Sequence, residues 1–429
     1  MRYKSTNHKS SKVSFKEAVV KGLADDKGLF FPMEVLKLPE SFFKNLKDLS
    51  LSEIGYEFLK PYVGDDLPDH ELKTLLSDAL NFDIPLVEVK PNVFSLELFH
   101  GPTLAFKDVG ARIMARFLSI FVNKNNKVTV LVATSGDTGS AVASGFLNVE
   151  GIDVVVLYPK GMVSNIQEKQ FTTLGKNITA LEVNGTFDDC QRMVKEAFAD
   201  EELNTKMQLS SANSINVARF LPQAIYYFYA YAQLNDKSKP VVFSVPSGNY
   251  GNLTAGLIAK HSGLPIQNFI ASANINNVVP EYLRTGIFNT RSSKSTISNA
   301  MDVGNPSNFA RILELYNHSW DKIKSEIKGY SFKDEETRQI ISDVYRKLKY
   351  ILDPHGAVAY LGLSGYMRKN DVNGIFFETA HPAKFFETVE KQIPVKVDIP
   401  ERLQKSLSKD KFTFEIGNSL DDLKQVLMK

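Results

Sequence analysis

From residue 93 onward the chain alternates short apolar runs with stretches whose apolar residues recur at helical spacing. The runs 128–134 (VTVLVAT), 153–158 (DVVVLY), 178–183 (ITALEV), 241–245 (VVFSV), 269–273 (FIASA) and 374–379 (GIFFET) predict strands, most of them buried on both faces. Helical patterns cover about 139–148, 163–174, 187–199, 215–234 and 252–262. This order predicts an α/β fold, with one mainly parallel sheet or two such sheets covered by helices. Residues 1–92 read differently, as a polar and mostly helical section. One helix opens at FKEAVV (15–20), GLFFP (28–32) breaks it, and further helices fall near 50–60 and 69–80. The stretch from about 275 to 370 reads as a long, mostly helical insertion ending in a turn at Asp353-Pro354-His355-Gly356. The aromatic run 226–231 (YYFYAY) reads as helix core.

Composition adds exclusions. A chain of 429 residues has room for two or three domains. Lys plus Arg number 51 against 49 Asp plus Glu, a net charge of +2, which leaves no electrostatic footprint for nucleic acid or an anionic membrane. A small anionic substrate stays compatible with that balance. The one cysteine, Cys190, rules out an intrachain disulfide and a cysteine-based metal site, as expected of a reducing compartment. The opening residues Met1–Ser5 carry no apolar signal core, and no run reaches the roughly 18 apolar residues of a membrane helix, so a cytoplasmic protein is expected. The seven histidines show no HExxH or other ligand spacing, and no metal site is expected.

The candidate chemistry centres on FHGPTLAFKD (99–108), which follows the β-forming run 93–99 and precedes a helical pattern at 109–121. Lys107 then stands where a strand hands over to a helix. Ligands of open α/β sheets collect outside the strands' carboxyl ends, and the helix dipole there disfavours an ammonium. With Leu104, Ala105 and Phe106 beside it, the amine is biased toward its neutral, imine-forming state. Most lysines in a first helical turn are merely solvated, so this reading rests on the surrounding stretches.

Four of these stand between strands and helices. Thr134-Ser135-Gly136-Asp137-Thr138 offers hydroxyls, glycine and helix N-terminal amides to a carboxylate or phosphate, or is simply a well-capped turn. Gly248-Asn249-Tyr250-Gly251-Asn252 lacks the ending of a triphosphate P-loop and the spacing of a dinucleotide fingerprint, and suits a compact phosphate. Asn213 and Ser214 serve as helix caps or donors, while Arg219 is shaped to grip a phosphate or carboxylate. Thr379 stands at the end of GIFFET, where a ligand can meet it; His381, before a proline, reads as structural.

Taken together, VSFKEAVVKGLADDKGLFFP (13–32), ELFHGPTLAFKD (97–108), ATSGDTG (133–139), SANSINVAR (211–219), PSGNYGN (246–252), NAMDVGNPSN (299–308) and ETAHPAKF (378–385) resemble, nearly end to end, the threonine synthases of the longer bacterial and yeast type. These belong to the fold-type-II enzymes that use pyridoxal 5'-phosphate. The resemblance implies two mainly parallel, helix-covered sheets and a largely helical N-terminal section, 1–92. It implies a large cofactor-binding domain from 93–127 and 235–429, and a smaller substrate-binding domain from 128–234. It makes Lys107 the Schiff-base lysine and catalytic acid/base, Gly248 to Asn252 the cofactor-phosphate loop and Thr379 the partner of the pyridine nitrogen. Residues 134–138 receive the substrate carboxylate, and Asn213, Ser214 and Arg219 its phosphate. Where many fold-type-II enzymes place asparagine, this loop has Asp137, as threonine synthases do in TSGDTG. The implied reaction is O-phospho-L-homoserine plus water to L-threonine plus phosphate, and the implied state is a monomer. The competing expectations are a phospholyase releasing a keto acid, and a phosphate-binding module without catalysis.

Overall fold

The structure is a computed structural model that describes residues 1–122 and 127–428. Its strands in chain order are Tyr3–Ser5 (β1), Phe30–Pro32 (β2), Leu86–Lys90 (β3), Val93–Glu97 (β4), Val128–Ala133 (β5), Ile152–Pro159 (β6) and Ile178–Val183 (β7). They continue with Gln208–Ser211 (β8), Val241–Pro246 (β9), Ile266–Ala273 (β10), Ile327–Ser331 (β11), Asn373–Glu378 (β12) and Phe414–Ile416 (β13). The chain divides into two compact units: Phe31–Phe106 with Phe220–Asp398, and Arg2–Phe30 with Lys107–Arg219 and Ile399–Lys429.

In the first unit six strands run in the order β11-β10-β9-β12-β4-β3, and every neighbouring pair is parallel except the β3–β4 hairpin. Its two-residue turn places Asn92 at φ +62°, a left-handed conformation that asparagine tolerates. The central strands β9 (VVFSVP) and β12 (NGIFFE) are buried throughout, as parallel strands covered on both faces must be. Tyr227 stacks its ring among Phe243, Phe269 and Phe377, with centroids 4.9 to 5.7 Å away, so the aromatic helix is core as its pattern predicts.

The second unit holds five parallel strands in the order β13-β7-β6-β5-β8. The helix Phe187–Ala199 buries Cys190, Met193, Val194 and Ala197 against Leu131, Leu157 and Leu181. Burial pushes the Cys190 thiol up to about 12, an inert core position.

Several expectations shift. The single helix at 215–234 is interrupted, because Pro222 lacks an N–H to continue it. Val217–Phe220 leads through a 3-10 turn, Leu221–Gln223, into Ala224–Gln233. The 275–370 insertion contains β11, a strand hidden in IKGYS because this edge strand buries only Ile327. The expected borders near 92, 127 and 234 do not coincide with the two units. Phe15 packs its ring 4.9 Å from Phe117, which draws the first helix to Lys107–Phe121 in the second unit. β13 pairs with β7 through Phe414 opposite Leu181, so the chain's end joins that unit as well. Among the described residues no helix is long and apolar enough to cross a membrane.

Candidate active site

Past β4 the chain enters residues 98–106, which are laced to the segment after β12. Leu98 N–H donates to the Glu378 carbonyl (2.9 Å), His381 N–H to Leu104 (3.0 Å) and Phe106 N–H to the Thr379 carbonyl (2.8 Å). The buried Lys384 ammonium donates to the Thr103 carbonyl at 3.0 Å, and the Tyr226 hydroxyl donates to the Phe106 carbonyl. Leu104 stands at φ +59°, a conformation costing a non-glycine residue about 1–2 kcal/mol. That strain persists because the lacing over-determines it. The next residue after Phe106 is Lys107, half-buried and the first of the helix Lys107–Phe121, as the strand-to-helix reading predicts. Thr379 lies one residue beyond β12 and is 5% exposed.

Two strands of this sheet, β9 and β12, are neighbours, and the glycine-rich turn leaves the carboxyl end of β9. Asn252 stitches it: its side-chain amide donates to the Pro246 carbonyl (2.9 Å), and its oxygen accepts from the Ser247 hydroxyl (3.2 Å) and Leu253 N–H (2.9 Å). Asn249 accepts from Ser307 N–H at 2.6 Å. A Cβ on Gly248 would meet Met301 Cα at 2.8 Å and the Ala300 carbonyl oxygen at 2.9 Å, so only glycine fits between loop and turn. Tyr250 takes φ +62° at the start of the helix Gly251–His261. Its hydroxyl is buried with no hydrogen-bond partner among the described residues.

Under Thr379 lies a buried acid group that sequence reasoning missed. Glu378 and Asp353 are fully buried and His355 is 2% exposed. Asp353 N–H donates to Glu378 Oε1 at 3.0 Å, and Asp353 Oδ1 lies 2.6 Å from His355 Nδ1. Burial, with the Asp353 charge beside it, pushes the Glu378 carboxyl well above the usual range. Burial works against ionised Asp353 too, yet hydrogen bonds from Glu378 and His355 outweigh it and hold Asp353 low. A charged residue inside the apolar run GIFFET was the available signal. His381 caps the following 3-10 turn by accepting Ala383 N–H at 3.1 Å, and burial lowers its ring to about 4.

In the second unit, β5 ends in the loop that opens the helix Asp137–Phe146. Thr134 is buried, and its hydroxyl oxygen accepts Gly136 N–H (2.9 Å) and Gly139 N–H (2.8 Å). Asp137 accepts from the buried Gln167 amide at 2.9 Å. Ser135 and Thr138 remain half-buried. Asn213 uses both ends of its amide on Ala133, accepting its N–H (3.3 Å) and donating to its carbonyl (3.0 Å), so it braces the edge of β5. It does not cap a helix; Asn216 does, accepting Ala218 N–H at 3.0 Å. Ser214 is half-buried, and Arg219 is buried at the end of Val217–Phe220. Among the described residues no group of three histidine, cysteine or acidic side chains is placed to hold a metal.

Turns of this kind at the carboxyl ends of parallel strands, and a lysine that opens a helix, have counterparts among known proteins. The family model described as "Pyridoxal-phosphate dependent enzyme" matches residues 69–414, which defines the class, and one described as "Threonine synthase N terminus" matches residues 2–80. A threonine synthase of Haemophilus influenzae is 44% identical, each chain covered completely. The crystal structure of threonine synthase from Escherichia coli superposes with a TM-score of 0.94 at 40% identity, covering 100% of this chain and 99% of that one. A pyridoxal-phosphate-bound threonine synthase structure from Brucella melitensis gives 0.91 at 33% identity, covering 100% and 98%. The chain belongs to the threonine synthase family, pyridoxal-phosphate enzymes of fold type II.

Proposed function

We propose that the protein converts O-phospho-L-homoserine and water into L-threonine and phosphate, with Lys107 bonded covalently to pyridoxal 5'-phosphate at rest. One observation carries this assignment of the lysine. The Phe106 N–H to Thr379 carbonyl bond ties the peptide immediately before Lys107 to the residue proposed to face the pyridine nitrogen. Support for the cofactor's phosphate end comes from the turn Gly248-Asn249-Tyr250-Gly251-Asn252. It opens a helix of eleven residues, leaves no room for a Cβ at Gly248 and buries the Tyr250 hydroxyl with no partner among the described residues.

When bound, pyridoxal phosphate supplies an electron sink for bonds broken next to the substrate's amino-bearing carbon. A neutral hydroxyl at Thr379 leaves the ring nitrogen less protonated than a carboxylate would. With the cofactor bound, Lys107 Nζ would be the base that removes the α-proton and then a β-proton. Once phosphate has left, the γ-carbon would take up a proton to become the methyl group, water would add its hydroxyl at the β-carbon, and the α-carbon would be protonated again. The loop Thr134 to Thr138 receives the substrate carboxylate, with Ser135, Thr138 and the amides of the helix N-terminus as donors, while Thr134 and Asp137 shape the turn. Ser214 and Arg219 hold the substrate phosphate, and Asn213 ties their segment to Ala133 at the end of β5. The same reading makes the protein a cytoplasmic monomer, which sedimentation tests.

The test is incubation with O-phospho-L-homoserine and assay of both products. Threonine and phosphate in equal amounts are expected; a keto acid with ammonia would mean a phospholyase instead. Lys107→Ala is expected to lower turnover by at least about a thousandfold and to remove the long-wavelength absorbance of bound cofactor. Full synthase activity in that variant would refute the assignment.

A further inference from the structure

The phosphate-loop reading leaves a question of what keeps Gly248 in place, since its close neighbours, Ala300 and Met301, belong to a three-residue 3-10 turn that buries only Met301. Asn274 holds the residues on either side of the turn, Ser298 and Asp302, and within it Ala300 N–H donates to His355 Nε2 at 3.2 Å. A ring nitrogen that accepts must be unprotonated, so the ring's hydrogen is on Nδ1. There it meets Asp353 Oδ1 at 2.6 Å, the same oxygen that receives His355 N–H at 2.7 Å. Asp353 Oδ2 accepts Gly356 N–H at 3.2 Å, and Glu378 Oε1 accepts Asp353 N–H. Gly356 makes room for this, because a Cβ there would sit 2.0 Å from Glu378 Oε2. The ring also stacks edge-on with Phe385, centroids 4.9 Å apart.

We propose that His355 is a positioning residue for the cofactor's phosphate end: Asp353 and Glu378 hold it in the one tautomer that accepts Ala300 N–H, and this bond keeps the 299–301 turn pressed on Gly248. The inference rests on Gly248 to Asn252 being the phosphate loop. Its own content is that a residue reaching neither cofactor nor substrate sets how tightly the cofactor is kept.

The test uses the full chain and pyridoxal phosphate itself, titrated into cofactor-free protein by absorbance and fluorescence. Three variants separate the two ends of the ring. His355→Asn keeps a donor near Asp353 but has no acceptor for Ala300, and His355→Phe keeps the packing on Phe385 with neither; whichever folds serves. His355→Gln reaches the Ala300 amide with its carbonyl oxygen and is the rescue. The cofactor dissociation constant is expected to rise about tenfold in the loss variants, the worth of one buried hydrogen bond, and to return to within about threefold in His355→Gln. Thermal stability of the cofactor-free protein should not follow that order. A loss variant that binds pyridoxal phosphate within twofold of the parent overturns the proposal. Gly248→Ala run alongside then tells which premise failed: weakened binding there leaves the phosphate-loop reading standing, and unchanged binding removes it too.

Discussion

Two turns of the molecule look alike in sequence and differ in what they leave unsatisfied. Residues 134–139 and 247–252 each follow a buried parallel strand and open a helix. The first is closed from within by Thr134 and Gln167, and the groups it leaves accessible are the hydroxyls of Ser135 and Thr138. In the second, the hydroxyls of Ser247 and Tyr250 are buried. It is stitched by Asn252 and braced from outside by Ser307 and the 299–301 turn, which fixes the backbone amides at the start of its helix. Hydroxyls rotate to suit a ligand that arrives and leaves, whereas fixed amides suit one that stays. The difference supports the proposed division, with the first turn for substrate and the second for cofactor.

The strongest challenge to it is Gly136→Ala. Gly136 stands at φ +138°, and a Cβ would meet the Gln167 side chain at 2.6 Å, so about 3 kcal/mol of strain is expected. Denaturant unfolding should register that loss, and the substrate KM should rise while pyridoxal phosphate binding holds. Weakened cofactor binding with an unchanged KM would reverse the roles of the two turns. Thr134→Val keeps the volume and strands two buried amides, which should cost about 2 kcal/mol in the same assay.

Acid should act on the cofactor side. Burial lowers His381 to about 4, so from about pH 6.5 down to that value the unfolded chain binds a proton the folded one refuses, and stability falls as pH drops. His381→Asn retains an acceptor for Ala383 N–H and should recover about 1 kcal/mol of the loss between about pH 7 and pH 5. An acid dependence identical to the parent's would remove His381 as its source. Smallest of all, Tyr250→Phe deletes a hydroxyl with no partner among the described residues. Stability of the cofactor-free protein should move by less than about 0.5 kcal/mol, and a larger drop would reveal a bond in the turn.

Much of this was legible in the chain. The runs VTVLVAT, ITALEV and VVFSV are strands because short, mostly apolar and β-branched runs of this kind are covered on both faces. Lys107 opens its helix as the handover from FHGPTLAF implied. What stayed hidden depends on partners distant in sequence. Edge strands such as IKGYS and FEI bury too little to show a period. Asn213 looks like a cap until Ala133, eighty residues earlier, takes both its polar atoms. Glu378, Asp353 and His355 form a group only once β12 and the helix Pro354–Met367 pack together.

The most direct measurement reduces the resting protein–cofactor bond with borohydride and locates the pyridoxyl mass by peptide sequencing. Attachment to Lys107, at one site per chain, is the result this account predicts. A pyridoxyl group on any other lysine, with Lys107 unmodified, would contradict it.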